Sequence, residues 1–598
     1  MVRRQLRALC CLAAFAGSVG VAQQQNPMLC HMQEMTGAVD DPTKLPAPLK
    51  MEGIGNGSIN ITAANDEAKM WFTQGLNLLH DFWDYEALRA FEQSVRADPK
   101  CAMCYWGLYQ AASFRGSGNG WGKEALKKAS SLSKHATKPE KLYIKMSVVS
   151  DKEQAARSKH GPNTGGGKDE AYKDSKETKI LRKLVAMQPD DVQARIFLAE
   201  SMMNGFDKKG DPKAGTAQGQ QMLVEILKQH PDDSAANHYW IHAVEPGNHP
   251  ELALESARKL GQLTPSSGHM VHMPGHIFYR TGDYETARLS FEVSMKVDES
   301  YMKAQQVTVA NDWNYVHNLM YLIANLTEAG RVAEATEISA KLTKARGASG
   351  PTLYLGVPRD GLTRLNVELP VLLRAGNWKA ATNALERSTP DPELKNLVAL
   401  RGAMLNYTGG MLALENGGVK AARQSADALD VYVKMKPDAI SPAMPQGAAY
   451  TAKDALAKPL HSFMDVASME LTASVLLAEG RGVESDAMFT KAADAERALG
   501  YREPPTYIRP VGETRGDALL RTGRFDEAKA AYEAAQKERP NSGYPLFGIA
   551  QADAAAKHRA QATADFAKLL QVWTNADADL PQVQVARAWI ASQTANGE

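Results

Sequence analysis

Small and large apolar residues recur along the chain at a fixed interval, which is clearest near the C-terminus. Three positions of one copy return 34 residues later, as Gly516, Ala528 and Tyr532 are followed by Ala550, Ala562 and Phe566. Ala528 and Tyr532 are four residues apart, the spacing of one helix face. Gly523 stands between the two apolar groups, where a residue with positive φ ends a helix. The pattern predicts a helix, a tight turn and a second helix.

Further copies of this pattern lie upstream. One copy contains Trp71, Gly75, Leu78, Ala87, Phe91 and Pro99, and another contains Gly275, Phe278, Gly282, Tyr284, Ala287 and Phe291. Looser copies occur around 330–335, 376–381 and 480–489. The order of small and large residues resembles the tetratricopeptide repeat over about residues 64–572. The resemblance implies an all-α fold, a right-handed α-solenoid of stacked helix-turn-helix repeats whose first helices line a concave face.

Two longer motifs carry a narrower resemblance. They are Asn237-His-Tyr-Trp-Ile-His and Gly268-His-Met-Val-His-Met-Pro-Gly-His. Both are similar to motifs of a group of exported bacterial tetratricopeptide repeat proteins. That resemblance implies architecture and location, and it implies no activity.

The chain divides into seven predicted segments. They are a signal peptide at 1–22, an extended arm at 23–63, N-terminal repeats at 64–149, a flexible insertion at 150–178, a central array at 179–432, a loop at 433–460 and C-terminal repeats at 461–598. The insertion and the loop are predicted from Gly, Pro and charged residues in place of apolar periodicity.

The first residues have the features of a secretory signal. Arg3, Arg4 and Arg7 precede an apolar run over 8–21 that is too short to span a membrane. Cleavage after Ala22 would give a periplasmic or secreted protein. No later stretch is long and apolar enough to span a bilayer, so we expect no stable membrane insertion.

Three cysteines remain after the signal, namely Cys30, Cys101 and Cys104. Cys101 and Cys104 form a C-x-x-C motif. A thioredoxin-type motif needs a βαβ context, whereas the surrounding pattern is helical. A local disulfide and a pair of buried thiols both stay open.

Charge and motifs exclude several classes of function. The chain has 69 Lys and Arg against 68 Asp and Glu, so it lacks the basic surplus of a nucleic-acid-binding protein. It contains no G-x-S-x-G, H-E-x-x-H or dinucleotide-binding fingerprint.

Two histidine pairs occur in register and are the main candidate site. His238 and His242 form an H-x3-H pair, and His272 and His276 form another 34 residues on. Residues four apart lie on one helix face, and His269 lies on the same face as His272. The opposite face of the helix that carries His272 and His276 is apolar and suited to packing. The histidines are therefore predicted to face the concave groove. Neutral imidazoles bind zinc and copper, so the set predicts one transition metal ion.

Other polar residues extend this face. Glu245 is a candidate ligand, orienting residue or general base. His80, Glu245, Tyr279, Arg280 and His317 are expected to line the groove or contact a ligand. A metal-free polar groove and purely structural histidines are the alternatives.

Two functions follow. The first is an exported scaffold that binds a partner protein, peptide or small molecule in the histidine-rich groove, with a bound Zn or Cu ion. The alternative is a metal-dependent hydrolase or oxidoreductase that uses the same histidines.

Overall fold

The computed structural model describes residues 41–114, 120–160, 172–207, 209–346, 358–392, 394–435 and 458–595. The predicted signal peptide at 1–22, the first part of the arm and Cys30 lie outside the described residues. So do residues 161–171 of the expected insertion and 436–457 of the expected loop.

The described residues form an all-α array, as predicted. The N-terminal helices are α1 (Asp66–His80), α2 (Asp84–Ala97), α3 (Ala102–Phe114), α4 (Trp121–Leu132), α5 (Lys138–His160), α6 (Lys176–Met187), α7 (Val192–Met202) and α8 (Ala214–Gln229). The central helices are α9 (Ser234–Val244), α10 (Leu254–Leu263), α11 (Gly268–Thr281), α12 (Tyr284–Gln305), α13 (Trp313–Glu328), α14 (Val332–Arg346), α15 (Pro358–Leu365), α16 (Leu369–Arg374), α17 (Trp378–Arg387), α18 (Lys395–Glu415) and α19 (Val419–Val433).

The C-terminal helices are α20 (Lys458–Ala478), α21 (Gly482–Ala498), α22 (Val511–Arg521), α23 (Phe525–Glu538), α24 (Gly543–Ala555), α25 (Arg559–Val572) and α26 (Pro581–Ala595). The described segments contain no β-strand, and one isolated bridge joins Phe206 to Pro212. Within the same residues, no helix combines the length and apolar character that crossing a membrane requires.

Each well-formed repeat is a helix hairpin closed by a glycine against an aromatic ring. A Cβ added at Gly275 in α11 would lie 2.4 Å from the ring of Phe291 in α12. The same contact joins Gly75 to Phe91, and Gly516 to the ring of Tyr532. Only glycine permits this approach of the backbone to the ring, which is why small residues recur with the period of the repeat.

Hairpin ends are set by local hydrogen bonds. Gly282 ends α11 with a φ of 79°, in the left-handed region that favours glycine. The Asp283 side chain then accepts a hydrogen bond from the backbone N–H of Thr286 and caps α12. Asp233 caps α9 in the same way. The Asp233 cap thus sets the start of the helix that carries the first histidine pair.

The expected flexible insertion is shorter in the structure. Helix α5 continues to His160, and α6 begins at Lys176. The segment 151–160 is rich in Ala, Lys, Glu, Gln and Arg, which favour a helix even where apolar residues are few. The prediction gave too much weight to low hydrophobicity in this segment. The expected loop at 433–460 begins where α19 ends, at Val433, and α20 begins at Lys458.

The described part of the arm contacts more than the first repeat. The backbone N–H of Gly57 donates to the Asn77 side chain in α1 at 2.8 Å. The backbone N–H of Asn56 donates to the Ser234 hydroxyl of α9 at 3.2 Å. The arm therefore joins the N-terminal repeats to the helix that carries the first histidine pair.

Cys101 and Cys104 form a disulfide at the start of α3. Of the two alternatives left open by the sequence, the structure has the disulfide. Both residues are buried in the N-terminal core.

The C-terminal repeats fold back onto the central array. Arg374 of α16 donates to Glu328 of α13 and to Glu513 of α22, with N···O distances of 2.7–2.9 Å. Trp573 donates its indole N–H to the backbone carbonyl of Glu328 at 2.9 Å. All three charged side chains are buried. Contacts that cross this far along the chain distinguish the array from an open solenoid.

Replacing Arg374 with Ala is expected to destabilise the protein strongly, because two buried carboxylates lose the arginine that donates hydrogen bonds to them. Within the described residues, only the longer ion pairs with Arg509, at 3.6 Å, and Arg539, at 3.8 Å, remain. Breaking a buried ion pair from one side typically costs about 3–5 kcal/mol. Urea denaturation followed by circular dichroism measures the loss. The matched control is Arg423→Ala, since Arg423 pairs with Glu479 near the surface and should lose under about 1 kcal/mol. Equal losses in both variants would contradict the proposed role of the buried pair.

Candidate metal centre

Three helices bring six histidines together. Helices α9, α11 and α13 are the first helices of successive repeats and supply His238, His242, His269, His272, His276 and His317. Each of the six is at most 3% exposed. The five histidines predicted as metal ligands therefore lie in one buried cluster, and His317, predicted only as a groove residue, lies with them.

The histidines of each H-x3-H pair face each other through their Nε2 atoms. The Nε2 atoms of His238 and His242 are 3.0 Å apart, and those of His272 and His276 are 2.7 Å apart. Residues four apart on a helix lie one turn apart on the same face, which is why both pairs meet in this way.

The Nδ1 atoms of these histidines point away from the facing pairs, toward oxygen acceptors. His238 Nδ1 is 2.7 Å from the backbone carbonyl of His80. His272 Nδ1 is 2.7 Å from Oδ1 of Asn318. Asn318 donates its amide to the Phe291 carbonyl, which fixes Oδ1 toward the imidazole. Both histidines therefore donate Nδ1–H, and their Nε2 atoms carry lone pairs.

Glu245 joins the two histidine pairs. Its Oε1 is 2.6 Å from Nδ1 of His242, and its Oε2 is 2.7 Å from Nδ1 of His276. The Tyr501 hydroxyl donates to Oε2 of Glu245 at 3.1 Å. Burial raises the pKa of Glu245 to about 8, against the lowering effect of the Tyr501 hydrogen bond. One carboxyl group thus orients one imidazole from each of two successive repeats.

His269 has the same arrangement of acceptor and lone pair. Its Nδ1 is 3.3 Å from Oδ1 of Asn314, and Asn314 donates its amide to Asp298. The His269 Nε2 is buried and has no hydrogen-bond partner among the described residues. A buried nitrogen without a partner is costly unless something binds it.

Ring nitrogens group into two triads of metal-ligand spacing. One nitrogen each of His238, His242 and His269 lie within 4.8 Å of one another, and so do one each of His272, His276 and His317. A third group of this spacing joins His242 to the carboxylates of Glu245 and Glu503. All these groups are buried.

Burial keeps the imidazoles neutral. It lowers the pKa of His242 to about 4. It also places the pKa of the other four predicted ligands well below the ordinary value of 6.5, and neighbouring imidazoles lower them further. At neutral pH these five rings are uncharged, which is the form that binds a metal ion.

Aromatic rings cover the cluster. Phe82 stacks on His242 and His269, with ring centroids 5.2 and 5.6 Å away. Its backbone has a φ of 57°, unusual for a bulky side chain. Its carbonyl accepts the indole N–H of Trp313 at 3.1 Å. On the other side, Tyr321 packs on His276 with centroids 4.2 Å apart.

The histidines, predicted to face the concave groove, are buried in the structure. They are buried because the turn around Phe82 covers one side and the segment 501–503 covers another. The positive φ of Phe82 is not readable from its residue type. Tyr501 reaches Glu245 from 256 residues away along the chain.

The structure also separates the other predicted groove residues. The His80 ring is buried against Phe197 and Tyr239, and only its backbone carbonyl reaches the cluster. Tyr279 is buried against Tyr284 and Tyr321 instead of lining a groove. Arg280 lies over the ring of Tyr501 and donates to the backbone carbonyl of Gly247.

Several residues of the site were missed by sequence reasoning. Asn314 and Asn318 are spaced like the histidine pairs and flank His317, a signal that could have identified them. Tyr501 and Glu503 lie outside any repeat pattern, and no local signal connects them to the histidines.

Comparisons with known proteins give one profile match and matches to solved structures. The tetratricopeptide repeat profile matches residues 514–542. The P58(IPK) TPR domain is 13% identical, with 82% of this chain and 98% of that chain covered and a TM-score of 0.22. Yeast Tom70 is 11% identical, with 88% and 96% covered and a TM-score of 0.24. The human IFIT1 dimer with m7Gppp-AAAA is 10% identical, with 87% and 95% covered and a TM-score of 0.28. Nothing matches among curated proteins.

The profile match falls on α22 and α23, which form one of the recurring hairpins closed by a glycine and an aromatic ring. The match places one tetratricopeptide repeat in this chain, at residues 514–542. Proteins of this class generally present binding surfaces to other proteins.

In the metal-free protein, the cluster imidazoles should lower the stability as the pH falls from about 6.5 toward the folded-state pKa of His242, about 4. The folded imidazoles have lowered pKa values, so the unfolded chain takes up protons first and is favoured. Burial raises the pKa of Glu245, Glu200 and Glu496 to about 8, and these carboxyl groups act in the opposite direction. The contribution of the imidazoles is therefore the difference in stability between the wild type and a variant that lacks some of them.

Thermal unfolding in the presence of a chelator, at several pH values in this window, measures the effect. His238→Gln combined with His272→Gln should give a shallower dependence on pH. His249→Ala is the control, because His249 is exposed. The same dependence of melting temperature on pH in the wild type and the double variant, from about pH 6.5 to about pH 4.5, would contradict the prediction.

Proposed function

We propose that this chain is an exported tetratricopeptide repeat scaffold that holds a transition metal in its buried histidine cluster and binds a partner protein, peptide or small molecule. The observation that carries the metal proposal is the pair of Nε2···Nε2 contacts. Counting the protons on the four imidazoles and on Glu245 shows why these contacts favour a bound ion.

Hydrogen bonding alone cannot satisfy both contacts. His238 and His272 already donate Nδ1–H to oxygen acceptors, so their Nε2 atoms carry lone pairs. Each contact then needs a proton on the opposite Nε2, of His242 or of His276. Those two imidazoles share Glu245, which carries at most one proton, so at least one of them must donate Nδ1–H to the carboxylate. At least one facing pair therefore has two lone pairs at hydrogen-bond distance.

A metal ion resolves this repulsion, and a further proton does not. An additional proton would make an imidazolium, and burial lowers the pKa of these rings far below neutrality. Metal-bound histidines typically donate their second ring nitrogen to a carboxylate, an amide or a backbone carbonyl, which is the arrangement of these four. Imidazole ligands suit zinc and copper, and the donor set does not separate them.

Burial favours a scaffold over an enzyme. A catalytic metal keeps an open coordination position that substrate can reach, whereas a structural metal is enclosed. The six imidazoles are enclosed by helices and aromatic rings. Both oxygens of Glu245 are engaged by the Nδ1 atoms of His242 and His276, so we assign Glu245 the role of orienting the ligands and not that of a general base.

Protein isolated from its native cell without an affinity tag is expected to contain a tightly bound transition metal. His242→Gln combined with His276→Gln should abolish it, because each facing pair loses an imidazole. Elemental analysis by mass spectrometry measures the metal content. Removing the metal from the wild-type protein should lower its melting temperature, since an ion that binds the folded state stabilises it.

His249→Gln is the matched control, because it removes an exposed histidine outside the cluster. Circular dichroism checks that the double variant keeps its helices. Wild-type protein without metal, which also takes up none from excess zinc or copper(I), would refute the metal proposal and leave the scaffold proposal in place.

Export is supported by two observations. The first is the positively charged, apolar start of the chain. The second is the Cys101–Cys104 disulfide, since structural disulfides persist in oxidising compartments.

The protein recovered from its native cell is therefore expected to begin at Gln23, after cleavage following Ala22. N-terminal peptide mass spectrometry of the periplasmic and extracellular fractions measures this. Substituting Ala22 by a bulky residue should leave the precursor uncleaved, whereas Gln25→Ala, beyond the cleavage point, should not affect processing. Recovery of intact Met1 in the cytosolic fraction would contradict export.

A further inference from the structure

We infer that the cluster is two metal sites and not one, each formed by three histidines and joined by Glu245. The first triad is His238, His242 and His269, and the second is His272, His276 and His317. This inference rests on the proposed metal function and extends it to the number of ions and the ligands of each.

The two triads are complete and separate. They share no histidine, and within each triad one nitrogen per ring lies within 4.8 Å of the others. A zinc–nitrogen bond is about 2.0–2.1 Å long, so two nitrogens on one ion are separated by roughly 3–4 Å. A small inward movement of the rings would therefore place three nitrogens on one ion in each triad.

The facing pairs belong to different triads. His238 and His242 meet within the first, with Nε2 atoms 3.0 Å apart, and His272 and His276 meet within the second, with Nε2 atoms 2.7 Å apart. The proton count requires an ion at one of the two pairs, because a proton on Glu245 satisfies the hydrogen bond of the other pair. The second ion is inferred from the ligand spacing of the second triad. His269 Nε2, which has no partner among the described residues, belongs to the first triad only.

The residues that orient the imidazoles repeat as the triads do. Asn314 accepts from His269 in the first triad, and Asn318 accepts from His272 in the second. Both amides come from α13, one helical turn apart. Glu245 then supplies one carboxylate oxygen to each triad. Each triad thus has its own amide and its own oxygen of the shared carboxylate.

Buried carboxylates offset part of the charge of two ions. Glu245 lies between the triads, and Glu503 places an oxygen 3.9 Å from Nδ1 of His276. Their side chains are at most 4% exposed. A buried cation requires a nearby counter-charge, and the structure supplies two carboxylates at this centre.

The experiment counts ions per chain in the whole protein. Metal-free wild-type protein is titrated with Co²⁺, whose visible absorption reports its coordination, and loading with Zn²⁺ is measured by elemental analysis. The expected stoichiometry is two ions per chain. His269→Ala and His317→Ala should each bind one ion, because each removes a ligand from a different triad. His249→Ala should still bind two.

The shared carboxylate gives a second readout. Glu245→Gln should weaken binding at both sites by about 10–100-fold, as measured by competition with a chelator, since it removes the acceptor that orients one imidazole in each triad. Asn318→Ala should weaken only the second site, the site that remains in His269→Ala.

Each outcome has one meaning. Two ions in the wild type and one in each histidine variant support the inference. One ion in the wild type overturns the two-site inference and leaves the metal proposal standing, whereas no ion overturns both. Loss of both ions in a single-histidine variant that keeps its helical circular dichroism spectrum would also overturn it. If His269→Ala does not fold, the number of ions bound by His317→Ala and by the wild type still distinguishes one site from two.

Discussion

Three of the described helix hairpins depend on one close contact, between a glycine of the first helix and an aromatic ring of the second. In the repeat that carries the second histidine pair, Phe291 fills the space over Gly275. The centroid of the same ring lies 5.0 Å from that of the His272 ring. The backbone carbonyl of Phe291 accepts a hydrogen bond from the Asn318 amide. The packing contact that closes the hairpin therefore also positions an imidazole and the amide that orients it.

Regular stacking explains why the histidine pairs meet. Hairpins that repeat with a period of 34 residues place equal offsets side by side, and His238 and His272 have equal offsets. Glu245 can then bridge the pairs, because neighbouring first helices lie close enough for one carboxylate to reach an imidazole from each. The helices and the grouping of five histidines were predictable because both follow from local periodicity.

The surroundings of the cluster were not predictable in this way. Phe82 covers two imidazoles because its backbone adopts a positive φ, a conformation that a phenylalanine does not signal. Tyr501 and Glu503 belong to a connection between repeats, and their position depends on how the C-terminal repeats pack on the central array. Periodicity describes contacts between neighbouring repeats. It therefore placed the histidines on the face of the concave groove, but it could not show that more distant segments bury them.

Long-range closure changes how the array unfolds. In an open solenoid each repeat contacts only its neighbours, and repeats can fray from either end with little effect on the others. Here the His80 carbonyl holds His238 across 158 residues, and Trp573 holds the end of α13 across 245 residues. Fraying of the N-terminal end removes the carbonyl that accepts from His238, and fraying of the C-terminal end removes the indole that donates to the end of α13. The ends and the middle are therefore bound into one cooperative unit, which behaves more like a globular domain than like a chain of independent repeats.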